Sequence, residues 1–373
     1  MKLAFTIFKY HPYGGLQRDW LRLAKYCAAQ GHEVHLFTMK WDGPKPEAIN
    51  VHLIQPQGFS NHTRSKNFAK EVGRQLSGFD RVIGFNKMPG LDFYFAGDLC
   101  FVQTAMEKHG FLYRLSARYK CFNALEAAVF HQQAAARVFV LTDLVKKSYQ
   151  TVYQTPDERF YLIPPGIKQR GLTQDRLLES KKPLREKLRF KEENFYCLQV
   201  GSDFKRKGLD RSIKALAALP SLLKAKTKLL VIGLSKEQKF KKLAESLNVS
   251  QQVSFLGACD NVEEYMLAAD LLLHPAYFEN TGTVIVEALN LGLPALITAN
   301  CGYAFHVEAA KAGELIQTPF VQDKMNKQLE HLLNRSKLAE LSKAALEYAN
   351  KTDLYSMDKV CLEQICESNI PTC

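Results

Sequence analysis

Two doubly wound α/β domains in series, each with a Rossmann-like parallel sheet, are the fold class this sequence predicts. Three observations carry the expectation. Short apolar runs rich in β-branched and aromatic residues alternate with helix-period segments along the whole chain, the pattern of βα units around parallel sheets. At 373 residues the chain exceeds the ~250–300 at which a single core stops growing. A densely charged stretch from Lys168 to Glu193, without strand character, separates an earlier series of strand candidates from a later one.

The first series opens with Leu3 to Phe8, an apolar run without a small-residue cleavage site, which reads as a buried strand rather than a signal peptide. Glu33 to Met39, Val51 to Gln55, Arg81 to Phe85 and Arg137 to Leu141 continue it, with helices beginning near Leu16, Thr63, Phe111 and Thr142. Tyr161-Leu162-Ile163-Pro164-Pro165-Gly166 closes a first domain, residues 1–166. The second domain, residues 167–353, carries Phe195 to Val200, Lys228 to Gly233, Val253 to Leu256, Leu271 to His274 and Ala295 to Thr298. Leu354 to Ile365 is helical in pattern, and the tail 354–373 is expected to pack back on the first domain. Open parallel sheets bind ligands beyond the carboxyl ends of their strands, so two sheets facing across a cleft would place functional residues just after strands. Hinges are expected near Pro164-Pro165 and before Leu354.

Composition narrows the class. With 46% hydrophobic and 24% charged residues this is an ordinary folded protein, neither a disordered tail nor a coiled coil. No apolar run reaches the ~18 residues of a transmembrane helix. Nine scattered cysteines without a C-x-x-C pair disfavour zinc and disulfides and point to reduced thiols in the cytoplasm. Residues 1–170 hold 23 Lys+Arg against 13 Asp+Glu, net +10, and residues 171–373 hold 27 against 25, net +2. The basic half implies an anionic partner: nucleic acid, membrane headgroups or a phosphorylated substrate. No RNA-binding motif or aromatic nucleic-acid platform is present, so nucleic acid is not the expected partner. Between Phe101 and Phe130, Phe111, Leu115, Tyr119 and Phe122 would form one apolar helix face flanked by Arg114 and Arg118. Such a face suits an anionic membrane surface or packing on its own domain.

Three loops carry chemistry. After the first strand, Gly14-Gly15 opens a helix, where close backbone approach and free N–H groups attract phosphate; the dinucleotide pattern G-x-G-x-x-G is absent. After Val200 comes Gly201-Ser202-Asp203-Phe204-Lys205-Arg206-Lys207-Gly208, whose three cations are either a solvated loop or, at a strand's carboxyl end, a clamp for a diphosphate in which Arg206 and Lys207 act. After the strand ending at His274, a Thr281-Gly282-Thr283 turn leads into a helix through Val284, with Glu279 and Glu287 eight residues apart on either side. Helix amides there would bind an anion while the two acids hydrogen-bond polyhydroxylated groups beside it, the layout of a nucleotide-sugar.

The Glu-x7-Glu motif, the Gly-Gly loop and the Arg-Lys-Gly loop together resemble the retaining glycosyltransferases of the GT-B fold, family GT4. Tyr10 to Asp19, Gly84 to Asp92, Gly110 to Leu115, Pro164 to Ile167, His274 to Tyr277 and Asp353 to Ser356 are similar, more narrowly, to the lipopolysaccharide core glucosyltransferases of that family, over almost the whole chain. The resemblance implies transfer of α-glucose from UDP-glucose to a heptose of the lipopolysaccharide inner core, with no cofactor, by an enzyme peripherally associated with the cytoplasmic face of the inner membrane. It assigns Glu279 to the glucose hydroxyls, Glu287 to the ribose, and Thr281, Gly282, Thr283 and Val284 to the sugar and phosphates. Arg206 and Lys207 would hold the diphosphate, with Gly14 and Gly15 approaching it. Asp98 would stand at the donor hexose and Asp19 at the acceptor. Cys259 occupies a loop position where the family usually carries arginine. No two aspartates stand two apart anywhere, so no D-x-D metal motif exists, and cations with helix amides would replace a metal ion. A front-face mechanism is implied, with a covalent carboxylate intermediate as its rival. The alternatives are another UDP-hexose or acceptor, or a sugar-nucleotide epimerase.

Overall fold

The structure, a computed structural model, describes residues 1–12 and 14–367 and divides into two compact units, residues 1–166 with the segment from Ser356 onward, and residues 167–355. In the first unit β1 (Lys2–Thr6), β3 (Glu33–Thr38), β5 (Ile49–Leu53), β6 (Arg81–Gly84), β7 (Phe93–Ala96), β8 (Arg137–Val140) and β9 (Phe160–Leu162) form one parallel sheet in the order β5-β3-β1-β6-β7-β8-β9. Two short strands, β2 (Lys9–Tyr10) and β4 (Lys40–Trp41), pair with each other in a separate sheet. The order reverses beside β1, the switch point at which such sheets open a ligand site. β7 is buried at all four residues, as helices on both faces require, and Phe93 stacks on Phe139 of β8 with ring centroids 5.2 Å apart.

The segment 15–29 forms a helix because Trp20, Leu23, Ala24 and Cys27 recur at helical spacing and bury together. Against it lies the terminal helix Met357–Glu367, which buries Met357, Cys361, Leu362 and Ile365, with Asp358 2.8 Å from Arg22. The rest of the tail, 368–373, lies outside the described residues.

One expectation fails in the basic region. Phe111, Leu115, Tyr119 and Phe122 do not share a helix: Phe111–Leu115 is a 3-10 turn, and Ser116 starts a new helix, Ala117–Phe130, by accepting the Tyr119 N–H through its hydroxyl. Tyr119 is buried and Phe122 packs on the core, whereas Phe111, Leu112 and Leu115 are 73%, 77% and 62% exposed. The break follows from a capping serine competing successfully with helix continuation.

The second unit holds β10 (Phe195–Val200), β11 (Thr227–Ile232), β12 (Val253–Gly257), β13 (Leu271–His274), β14 (Ala295–Thr298) and β15 (Gly313–Ile316), all parallel, in the order β12-β11-β10-β13-β14-β15. The charged stretch read as strandless contains the helix Gln174–Lys187, tied to this unit by Arg185, which donates to Asp270 at 2.9 Å. No helix among the described residues is long and apolar enough to cross a membrane.

Candidate active site

In the second unit, loops at the carboxyl ends of β10 and β13 interlock. Gly208 has φ +71°, and a Cβ there would lie 2.0 Å from the Pro275 carbonyl oxygen, so only glycine lets the two loops meet this closely. Tyr277 N–H donates to the Arg206 carbonyl at 2.8 Å. Behind them, the buried Arg211 guanidinium lies 3.7 Å from the ring centroids of both Tyr277 and Phe320 and donates to the Pro275 and Ala276 carbonyls.

This framework delivers Arg206, Lys207 and Glu279 to one point. Arg206 Nη1 donates to Glu279 Oε2 at 2.9 Å, and Lys207 Nζ pairs with the same oxygen. Glu279 is only 7% exposed. Burial alone would raise its pKa, but the adjacent Lys207 and Arg206 cations outweigh this and hold the carboxyl well below the usual range. His274 is fully buried, its Nε2 3.6 Å from Glu279, beyond hydrogen-bond length; burial lowers its pKa and keeps the ring neutral.

Gly282, at φ +83°, then caps the helix Thr283–Asn290; a Cβ there would press on Ile285 and on Glu279 Cγ. Thr281 is held by its carbonyl, which accepts from Tyr303 N–H at 2.8 Å. The first turn, at Thr283 and Val284, leaves N–H groups without intrahelical partners. Glu287 follows one turn later on the same helix, half-buried. All eight sequence-predicted residues of this half therefore fall on two neighbouring loops of one unit and the helix that follows them.

In the first unit a cavity of about 580 Å³ opens at the carboxyl ends of β1, β3, β6 and β7. Asp98 lines it, held by Tyr94 OH at 2.8 Å and Lys87 Nζ at 3.0 Å, with Tyr149 OH donating to its backbone carbonyl. Lys87 also donates to the fully buried Glu126 at 2.7 Å, and Glu126 accepts the Phe101 and Val102 N–H groups that begin the helix Phe101–Lys108. Burial opposes charge on Lys87, yet Asp98 and Glu126 outweigh it and raise its pKa. Sequence reading missed both Lys87 and Glu126; the signal available was Lys87 following strand β6. Gly14 caps the helix Gly15–Ala29 with an ordinary φ of −89°, so its lack of a side chain provides room rather than an unusual backbone. Asp19 is not among the residues lining the cavity and stands 4.0 Å from Arg22 instead. Among the described residues no group of three or more His, Cys, Asp or Glu side chains is arranged to hold a metal ion.

Residues 180–352 match the family described as Glycosyl transferases group 1, and residues 13–169 that described as Glycosyltransferase Family 4. Over 360 residues, 96% of each chain, the protein is 44% identical to the lipopolysaccharide glucosyltransferase WaaG of Escherichia coli (strain K12). A crystal structure of WaaG, a glycosyltransferase involved in lipopolysaccharide biosynthesis, matches with a TM-score of 0.91 at 43% identity, over 98% of this chain and 100% of that one. Anabaena HepE in complex with UDP-glucose matches at 0.73 and 18% identity, over 99% and 100%, a likeness of fold alone. The chain thus belongs to the WaaG family of lipopolysaccharide glucosyltransferases, hexosyltransferases of the GT-B fold within glycosyltransferase family 4.

Proposed function

We propose that the chain moves glucose from UDP-glucose to an inner-core heptose of lipopolysaccharide, retaining the α configuration and needing neither metal nor cofactor. The observation that carries this reading is the convergence of Arg206 and Lys207 on the buried Glu279 carboxylate, next to the open end of the helix Thr283–Asn290. Two cations and a set of helix amides neutralise a departing diphosphate, the work a divalent ion does elsewhere. Glu279, held ionised, accepts from glucose hydroxyls, and Glu287 accepts from the ribose. Gly14 and Gly15 leave space for phosphate at their helix start. Asp98 and Asp19 are the acids assigned to the sugars on the first unit. A phosphate oxygen of the leaving group takes the acceptor hydroxyl proton on the face from which UDP departs, so configuration is kept. In the test, wild-type protein with UDP-glucose and a heptose-terminated core acceptor forms the α-linked product equally with and without EDTA, and Glu279→Gln loses transfer while keeping its fold. Full activity in that variant, or dependence on added metal, overturns the assignment.

The same reading places the enzyme at the cytoplasmic face of the inner membrane, where its acceptor would be made. Its support is the exposed trio Phe111, Leu112 and Leu115 beside Arg114, on a turn too short to bury them. Replacing Phe111 and Leu115 by Ser is expected to weaken cosedimentation with anionic vesicles while leaving kcat on a water-soluble acceptor unchanged. Equal binding by variant and wild type overturns it.

A further inference from the structure

Asn86 follows β6 and lines the cavity of the first unit, yet it is only 6% exposed and neither its Oδ1 nor its Nδ2 has a hydrogen-bond partner. A buried carboxamide left in this state costs free energy for each unmade bond, so the group calls for a ligand. Its chemistry states what kind. A carboxamide presents one acceptor and one donor side by side, and adjacent hydroxyls of a sugar ring answer both at once. Phe8, Phe101 and Phe122 also line the cavity, aromatic surface of the kind on which the C–H side of such a ring packs.

The rim adds a charge requirement. Arg64 comes from the helix Asn61–Gly73 and Arg118 from the first turn of the helix Ala117–Phe130. The two helices are fixed to each other, in part by Cys121 Sγ, which donates to the His62 carbonyl at 3.2 Å. Among the described residues neither arginine has a carboxylate partner; Arg118 rests on the Phe122 ring, 5.1 Å from its centroid. The one acid in the lining, Asp98, pairs with Lys87, a cation it shares with Glu126, and not with either arginine. Two unneutralised guanidinium groups over a polyol site match an oxyanion, which they bind in fork geometry.

We propose that this cavity binds an acceptor sugar through Asn86 and that Arg64 and Arg118 select acceptors carrying an anionic group near that sugar, a phosphate or a carboxylate. The inference rests on the acceptor being a lipopolysaccharide core, but its test does not need the transfer reaction. Delipidated core oligosaccharide is titrated calorimetrically, without donor, into wild type, Asn86→Ala and the Arg64→Gln/Arg118→Gln double variant. Each variant is expected to bind about tenfold or more weakly. Asn86→Ala, having lost an unsatisfied buried amide, is expected to melt no lower than wild type, which separates lost binding from lost folding. Chemically dephosphorylated and carboxyl-reduced oligosaccharides identify the anion, since only removal of the right group brings wild-type affinity down to that of the double variant. Equal wild-type affinity for the native form and both modified forms, unchanged affinity in Asn86→Ala, or no binding of the native form overturns the proposal. Failure of wild type to transfer from UDP-glucose, with this binding intact, overturns only the reading of the reaction.

Discussion

Gly208 shows how much of the candidate site in the second unit rests on single atoms. Its carbonyl-facing position leaves no space for a methyl group and its φ is left-handed, so Gly208→Ala is expected to destabilise the second unit by about 2 kcal/mol or more and to part the two loops. A lowered melting temperature with weakened UDP-glucose binding checks it. A second residue-scale effect concerns pH. Burial pushes the His306 pKa down to about 4 from 6.5. Below pH 6.5 the unfolded chain binds this proton and the folded chain does not, so stability falls as pH drops from 6.5 towards 4 and levels off beneath. The loss is about 2–3 kcal/mol by pH 4.5, and His306→Gln should remove it, read as a smaller gap between denaturation midpoints at pH 7 and 4.5. His274, lowered by burial too, adds a component of the same sign that the variant retains. Arg206, Lys207 and Glu279 were legible because each follows a strand, and Glu287 because it lies one turn into the helix that comes next, positions that sequence patterns mark. Lys87 and Asn86 were not, since their meaning depends on Glu126, Phe101 and Arg118, which only the folded sheet brings near.

Elements were read well where apolar runs were long. β10, β13 and β14 lie where the residue pattern put them, whereas β7, β9 and β15 were missed. β9 has only three residues and β15 only two apolar ones, too few for any pattern to rise above that of a loop. β7 is as long and as apolar as β13, and length does not account for its omission. The helix expected from Phe111 fails for another reason: apolar spacing carries no sign of the serine cap that ends the turn at Leu115 and starts a new helix. Ser116→Ala is expected to cost about 1 kcal/mol, measured by denaturant unfolding, because the Tyr119 N–H loses its acceptor. The consequence reaches the cavity of the first unit, since the same helix carries Arg118, which lines it, and Glu126, which holds Lys87.

At the scale of the molecule, the second unit is continuous in sequence and the first is not. Residues 167–355 are therefore expected to fold as an excised fragment with a cooperative thermal transition. Residues 1–166 alone would leave Cys27 and its helix uncovered, and a peptide spanning 354–367 should restore structure when added, seen by circular dichroism. Folding of 1–166 unaided would contradict this. The order of synthesis turns the arrangement into a matter of timing. The helix that completes the first unit is made about 190 residues after the rest of it, roughly 10–40 s at ribosomal rates. For that interval, while the second unit is still being made, the first stands unfinished, with an apolar helix face open to chaperones.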